Sequence, residues 1–361
     1  MPSHAIDHIT IATNNGAIGG GEVMLLHIAE ALRELSIGVT VVAPAHPSAL
    51  ADASHDAGFD TVRLHVKSRW SWMWQLRRWD ARHRKGVLWC NGLVPATATW
   101  GHSDRIVHLH QHPDGLHRVL SALSRIGARE TLVPSAHMLT SVPGARVMPN
   151  WTQRMRRRQR VAAADARFSV GFLGRLGPDK GVHVLAEAMA LLEREQPGSF
   201  RLVLAGEPVF VAKPKSAQVE SALAEVETLT DRVGWVAPAD FFDTIDLLVV
   251  PSLIPESFGL VAAEAMSAHV PVVVSDAGAL PEVVGADAGL VTPRGDAQAL
   301  AALIARISSG EEDTNVEAQH ARWTEHYSPA AGTGRVREVL TNLAAAERAS
   351  QKKGSKENAV S

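Results

Sequence analysis

The stretch LLVVPSLIPESFGLVAAE, residues 247–264, passes from four consecutive apolar residues through a proline-bounded loop into an alanine-rich helical segment. A short apolar run of this kind reads as a strand buried on both faces, and a helix following it closely reads as the crossover of a parallel sheet. The same alternation recurs on both sides. Strands are expected at residues 8–13, 39–43, 61–64, 87–90, 105–109 and 131–133; after a connector at 149–166 they resume at 168–173, 201–205, 247–250, 270–274 and 290–291. Helical periodicity over 21–35, 182–195, 259–268 and 296–308 fills gaps between them, and Pro178, Pro197, Pro251, Pro271 and Pro281 punctuate the ends. The expected fold class is α/β: two Rossmann-like, doubly wound parallel-sheet domains, residues 1–150 and 151–327, facing a central cleft. A last helix is expected at 328–349, with the N-terminal domain as its candidate partner, followed by a polar, flexible tail at 350–361.

Composition narrows the function classes. A chain of 361 residues with 46% hydrophobic and 20% charged residues is globular and long enough for two cores. Thirty-six basic against thirty-eight acidic residues leave no global field to recruit nucleic acid, so none is expected as a partner. Cys90 is the single cysteine, which excludes an internal disulfide and a cysteine-clustered zinc site and suits a reducing cytoplasm. The first residues lack the basic start and apolar run of a signal peptide, and no apolar stretch is long enough to cross a bilayer. The expected location is cytoplasmic, in solution or at the inner face of the membrane.

Four post-strand segments carry candidate chemistry. In Pro255–Glu264 two carboxylates, Glu256 and Glu264, stand in an E-x7-E spacing around a helix start. Ser257 is placed to cap that helix, and the free N–H groups of Phe258, Gly259 and Leu260 would form its positive end, which attracts an anion or polar oxygens. A carboxylate suits hydroxyl pairs because it accepts two hydrogen bonds. The plainer reading is an amphipathic helix with one surface and one capping-region glutamate. In Gly171–Gly181 the glycines let backbone approach a ligand, and Arg175 and Lys180 offer a planar fork and a point charge to a diphosphate; the alternative is a surface loop with two solvated cations. Residues 14–22, Asn-Asn-Gly-Ala-Ile-Gly-Gly-Gly-Glu, place Gly19, Gly20 and Gly21 between a strand and a helix without matching the P-loop or the dinucleotide fingerprint. They serve either as tight strand-to-helix packing or as a second phosphate-facing turn. Finally His108, His110 and His112 end a strand, with His108 and His110 on one face. His110 or His112 is a candidate for sugar hydroxyls, and the alternative is packed or exposed histidines. A metal site is not expected, because the D-x-D of metal-dependent nucleotide-sugar enzymes is absent from the chain.

Together these segments resemble the retaining glycosyltransferases of the GT-B fold, family 4 (glycosyl transferases group 1), over nearly all the chain. Glu256 and Glu264 match the family's E-x7-E motif, Gly174, Arg175 and Leu176 with Lys180 and Gly181 its donor-diphosphate pair, and Gly19 to Gly21 its N-terminal glycine loop. Val147 to Asn150 look like its Ile-Pro-Asn-Gly hinge, with Trp151 in place of the usual glycine. The resemblance implies a hexosyltransferase that moves a sugar from a nucleotide-diphosphate sugar, UDP- or GDP-linked, to an acceptor hydroxyl with retention and without metal or other cofactor. It implies that Glu256 contacts the donor sugar and Glu264 the ribose. Phe258, Gly259 and Leu260 would give backbone donors, Arg175 and Lys180 would stabilise the departing diphosphate, and His110 would be the cleft histidine. A nucleotide-sugar epimerase and a non-catalytic nucleotide-sugar-binding scaffold are the competing readings.

The acceptor side is less legible. Residues 67–85 hold four of nine tryptophans and seven Lys or Arg against one Asp. Trp70, Trp72, Trp74, Arg77 and Arg78 are the candidate contacts with an anionic membrane, which would point to a glycan or lipid-linked acceptor. A helical wheel scatters these tryptophans, whereas an extended chain would align the first three. Residues 155–160, Met-Arg-Arg-Arg-Gln-Arg, read as a solvated basic linker, and the turn Gly234-Trp235-Val236 as the place where the base would sit.

Overall fold

The computed structural model describes residues 6–155, 167–207, 213–285 and 290–357. The chain divides into two compact units, Met1–Trp151 with Pro329–Ser361, and Thr152–Ser328.

In the first unit β1 (His8–Ala12), α1 (Gly20–Glu34), β2 (Gly38–Pro44), α2 (Ala49–Asp56), β3 (Asp60–Leu64), α3 (Arg69–His83), β4 (Val87–Asn91), α4 (Leu93–Ala98), β5 (Arg105–His108), α5 (Gly115–Ser124), β6 (Glu130–Val133) and β7 (Arg146–Val147) follow one another. The second unit runs β8 (Phe168–Leu173), α6 (Val182–Glu195), β9 (Phe200–Ala205), α7 (Lys213–Ala224), β10 (Thr230–Gly234), α8 (Pro238–Phe242), β11 (Leu247–Val250), α9 (Leu260–Ser267), β12 (Val272–Ser275), α10 (Leu280–Val284), β13 (Leu290–Thr292), α11 (Ala297–Ser309) and α12 (Val316–His326). A closing helix, α13 (Pro329–Glu357), belongs with the first unit.

Both sheets are parallel throughout. The seven strands of the first are ordered β3-β2-β1-β4-β5-β6-β7, and the six of the second β10-β9-β8-β11-β12-β13. In each sheet the order reverses once, between β1 and β4 and between β8 and β11, where two crossovers leave in opposite directions and a crevice opens beyond the strand ends. The two-sided burial read from the apolar runs is met: all residues of β4, β5, β11 and β12 are buried. Large cores flank the second sheet, one around Leu185, Met189, Leu204 and Ile304, the other around Phe241, Phe242, Val272 and Trp323.

Several expectations are corrected. The tail does not end the last helix: α13 continues to Glu357, because the Lys, Gln and Glu residues after Ala349 are good helix formers that propagate an established helix. Residues 69–83 are helical, so the extended alignment of tryptophans does not occur; Ser68 caps α3, accepting from the Ser71 N–H at 3.2 Å. Trp72 is buried at 2% exposure, while Trp70 and Trp74 are 79% and 59% exposed. Arg77 is also committed, donating to the carbonyls of Ala98 and Trp100 at 3.2 and 2.8 Å. Strands β7 and β10 escaped the sequence reading, one for its brevity and the other because Thr230–Gly234 has only Val233 as a large apolar residue. Of the basic run at 155–160, all but Met155 lies outside the described residues.

Trp151, where a glycine was expected, is a core residue. Its N–H points at the Met24 sulfur at 3.4 Å, its carbonyl meets His27 Nδ1 at 3.0 Å, and the two rings stack. On its other side lies Gly332 of α13, where an added Cβ would stand 2.2 Å from the indole. Glycine inside a helix is destabilising by itself, so its value here is space for the indole. Arg129 donates to the Leu343 carbonyl and to Glu347, and Thr333 to Glu34, continuing the attachment of α13. Replacing Gly332 by Ala should therefore destabilise the protein by about 2 kcal/mol through overpacking, although Ala is the better helix former. A urea unfolding midpoint equal to or above that of the parent would refute this close approach.

Candidate functional site

The crevice at the β8/β11 reversal gathers the residues singled out in the second half of the sequence. Beyond β8 the chain turns at Gly174, then a single 3-10 turn, Pro178–Lys180, leads into α6 through Gly181. Gly181 has φ +70°, and a Cβ there would fall 1.9 Å from the Pro251 carbonyl oxygen, so only glycine lets this loop lie against the one after β11. Lys180 reaches across the reversal: its Nζ is 2.6 Å from Glu256 Oε1. The same oxygen accepts from Ser252 Oγ at 2.5 Å, and the Ser252 carbonyl accepts from Ser275 at 2.6 Å. Glu256 Oε2 has no hydrogen bond among the described residues. Arg175 is ion-paired with Asp179, one turn on. The Asp179 carbonyl in turn accepts from the Leu253 N–H at 2.9 Å, tying the two loops again.

The Glu256 backbone is fixed by a bridge to Gly278: the Ala279 N–H donates to the Glu256 carbonyl at 2.9 Å. At Gly278, φ is +68° and a Cβ would lie 2.4 Å from both Glu256 N and O. The loop then enters α9. Ser257 does not cap this helix; Gly259 occupies the N-cap, at φ +100°, where a side chain would be strained. The Phe258 ring is core, edge-on to Tyr327 at 5.3 Å, so it contributes backbone only. The N–H groups of Phe258, Gly259 and Leu260 have no partner among the described residues and present the positive end of α9.

Glu264, one turn into α9, is part-buried and its carboxyl makes no hydrogen bond among the described residues. Burial pushes its pKa from an ordinary 4.5 up to about 7. An acidic group with an unspent hydrogen-bonding capacity, one turn into the helix whose start is bare, is suited to hydroxyls, while Lys180 and that helix start suit an anion.

In the first unit Gly19 is the N-cap of α1, and Gly20 and Gly21 form its first turn. The Glu22 carboxylate folds back on the loop, accepting from the Gly19 N–H, Asn15 and Thr13 at 3.2, 3.0 and 3.2 Å. Burial raises its pKa against these bonds. The Gly20 and Gly21 N–H groups stay unpartnered among the described residues. The His110 ring packs against Gly21, and its Nε2 bonds Asn91 Oδ1 at 2.7 Å. Its pKa is lowered to about 4 by burial. His108 is wholly buried beside it, with ring centroids 4.1 Å apart. His112 is tied to Ser141 at 2.9 Å and lies edge-on to His137. Both ring nitrogens of His110 are thus committed or closed to solvent, and its imidazole offers no polar atom to an incoming hydroxyl in this conformation.

Ser252, Asp179, Gly278 and Asn91 were not singled out from sequence. Asp179 carried a signal, being four residues after Arg175, a spacing that pairs opposite charges on one turn. Gly278 acts through backbone geometry, and Ser252 through a hydroxyl aimed by its loop, and no local pattern announces either. Among the described residues no group of His, Cys, Asp or Glu is arranged to hold a metal ion. No described helix is long and apolar enough to cross a membrane.

The raised Glu264 pKa has a stability consequence. The folded state holds this proton more tightly than the unfolded chain, so the contribution is full below about 4.5 and is lost as pH rises through about 7. Between about pH 5 and about pH 8 the parent should lose ~2 kcal/mol from this group, and Glu264→Gln should not. Chemical denaturation of both proteins at the two pH values reads the difference; identical pH slopes would exclude a strongly shifted Glu264.

Residues 153–325, nearly all of the second unit, match the family described as Glycosyl transferases group 1. The amylovoran biosynthesis glycosyltransferase AmsK of Erwinia amylovora is 30% identical over 180 residues, covering 48% of this chain and 44% of that one. The D-inositol 3-phosphate glycosyltransferase of Segniliparus rotundus is 40% identical over 123 residues, 32% of this chain and 26% of that one. The chain therefore spans less than half the length of these curated relatives. Solved structures extend the likeness of fold to almost the whole chain. Sucrose-phosphate synthase from Thermosynechococcus elongatus superimposes with a TM-score of 0.80 at 20% identity, covering 94% of this chain and all, 100%, of that one. Anabaena Alr3699/HepE in complex with UDP and glucose gives 0.75 at 22% identity, covering 92% and 99%. The fold is that of these two-domain, Rossmann-like structures, and the second unit carries the glycosyl transferases group 1 match.

Proposed function

We propose that this chain is a glycosyltransferase that takes a sugar from a nucleotide-diphosphate donor, retains its anomeric configuration and needs no metal ion. The observation that carries the reading is the bonded pair Lys180 and Glu256 across the β8/β11 reversal, with Arg175 in the same loop as Lys180 and the bare start of α9 and Glu264 following Glu256 in the chain. This unit matches glycosyl transferases group 1, and HepE, of the same fold, was solved with UDP and glucose.

In this reading the diphosphate lies against Arg175, Lys180 and the N–H groups of Phe258, Gly259 and Leu260. As the bond from the anomeric carbon to the phosphate oxygen breaks, negative charge grows on the leaving diphosphate. The two cations then interact more strongly with the transition state than with the bound donor, which is what raises the rate. They fill the place a divalent ion takes elsewhere, so no cofactor is called for. Glu256, its Oε1 held by Lys180 and Ser252, presents Oε2 to a sugar hydroxyl, and Glu264 faces the ribose diol. The His110 imidazole is closed to sugar hydroxyls in this conformation, with Nε2 bonded to Asn91 and Nδ1 shut off from solvent.

A panel of UDP-, GDP-, ADP- and TDP-sugars titrated in EDTA tests the donor side. One nucleotide class should raise the melting temperature, and Lys180→Ala should abolish that rise and cut turnover by about a hundredfold. No response to any donor would favour a different ligand; a response without transfer to any acceptor would favour a binding scaffold, and reversible epimer formation without acceptor an epimerase. The configuration of the product, read by NMR, decides retention.

The acceptor is proposed to be a glycan or a lipid-linked sugar met at an anionic membrane surface on the cytoplasmic side. What remains for that contact is Trp70, Trp74 and Arg78, whose guanidinium stacks 4.6 Å over the Trp74 ring, together with the half-exposed Trp100. Trp72 and Arg77 are spent inside the unit. A double replacement of Trp70 and Trp74 by Ser should release the protein from vesicles of anionic phospholipid while leaving donor binding intact. Undiminished vesicle binding would remove the membrane from this proposal.

A further inference from the structure

The hydrogen bond that crosses the β1/β4 reversal in the first unit runs from Asn91, the last residue of β4, to Gly21 in the first turn of α1. Its chemistry fixes more than a distance. A backbone carbonyl only accepts, so the Asn91 nitrogen, 3.0 Å from the Gly21 oxygen, must be the donor, and Asn91 Oδ1 must face the other way. There it meets His110 Nε2 at 2.7 Å. An amide oxygen also only accepts, so His110 carries its hydrogen on Nε2, and Nδ1 of the neutral ring is a lone pair.

The same reasoning works from the opposite end. An indole N–H only donates, and Trp89 Nε1 stands 3.4 Å from His108 Nδ1. His108 is therefore also an Nε2–H tautomer. The two atoms left over are a His108 N–H and a His110 lone pair, both closed to solvent and without partners among the described residues. The rings that bear them pack at a tilt with centroids 4.1 Å apart, and no hydrogen bond joins them. Among the described residues no carboxylate bonds either ring; what packs on His110 includes Gly21 of α1, Asn91 of β4 and His108 of β5. Burial lowers the pKa of both rings, in keeping with two neutral imidazoles.

We infer that Asn91 is a positioning residue: it locks His110 as a neutral Nε2–H imidazole in a directed array that ends on the Gly21 carbonyl and holds the glycine turn at the head of α1, while Trp89 separately fixes the tautomer of His108. Both bonds in the array point the same way, from His110 through Asn91 to Gly21. Reversing one amide or one tautomer sets donor against donor, so the array has a single arrangement. The inference concerns the first unit alone and does not rest on the proposed function.

Histidine 15N NMR of the labelled protein tests it directly, with His108→Gln and His110→Gln assigning the signals. Between about pH 6 and about pH 7.5 both rings should show a protonated Nε2 and an unprotonated Nδ1. A His110 imidazolium, or a hydrogen on His110 Nδ1, would overturn the array, and this measurement requires no substrate and no variant of Asn91. Asn91→Asp keeps the acceptor but loses the donor to Gly21, and its carboxylate should hold His110 as an imidazolium; Asn91→Ala should let the Nδ1–H tautomer appear. Unchanged neutral Nε2–H signals in both variants would assign Asn91 a space-filling role and sink the inference. Failure of the parent to transfer sugar would refute the proposed function and leave the tautomers as measured.

Discussion

The single reversal of strand order in each parallel sheet is the constraint on which the chemistry depends. A parallel sheet needs a crossover for every strand, and crossovers of one hand can change sides only where the order turns. At that point neighbouring strands send their loops apart and leave backbone ends unfilled. In the second unit the gap lies between β8 and β11, and Lys180 and Glu256 bridge it. In the first it lies between β1 and β4, and Asn91 bridges it to Gly21. The candidate residues are therefore not scattered decorations: each sheet has one place where side chains from two loops can converge, and they converge there.

Convergence brings like demands together, and the glycines and ion pairs answer them. Gly181 and Gly278 admit a second backbone where a Cβ would collide with the Pro251 oxygen or the Glu256 peptide. Without a ligand, Arg175 and Lys180 would be two part-buried cations in one crevice; Asp179 and Glu256 neutralise them. Such pairs contribute little stability by themselves when partly exposed. On the proposed function their value lies in orientation: a diphosphate entering the crevice would compete for cations already held in place, and each carboxylate it displaced would be free to accept a hydroxyl.

How far this could be read in the sequence follows the same physics. Strands buried on both faces announce themselves as apolar runs, so β8, β11 and α6 were legible, whereas β10, with exposed Asp231, Arg232 and Val233, was not. Trp72 could not be told from Trp70 and Trp74, because a helix of mixed tryptophan and arginine has no clear apolar face and its buried side is chosen by the neighbours it meets. Glu256, Lys180 and Arg175 were legible by type and spacing, and the fold brings them to one crevice. Gly278 and Asn91 were not, since a partner distant in sequence gives each its role, and Ser252 was not, because only the folded loop turns its hydroxyl onto Glu256. Trp151 was legible as a departure, yet its meaning required α13, which returns from the far end of the chain to supply Gly332.

Glu264 shows how burial and ligand chemistry are linked in this crevice. An ionised carboxyl accepts two hydrogen bonds from a diol, but burial alone favours the protonated form, with the balance near pH 7. A diol that donates to both oxygens supplies the stabilisation the protein withholds, and it must expel a proton where the carboxyl was still protonated. On the proposed function, donor binding is then coupled to the release of that proton, and the ribose is read twice, once by shape and once by its power to keep a buried carboxylate charged. A fully paired Glu264 would forfeit this discrimination, because its charge would already be stabilised before any ligand arrived. On the same reading, the absence of a hydrogen bond to its carboxyl among the described residues serves the ligand as the bare N–H groups at the head of α9 do.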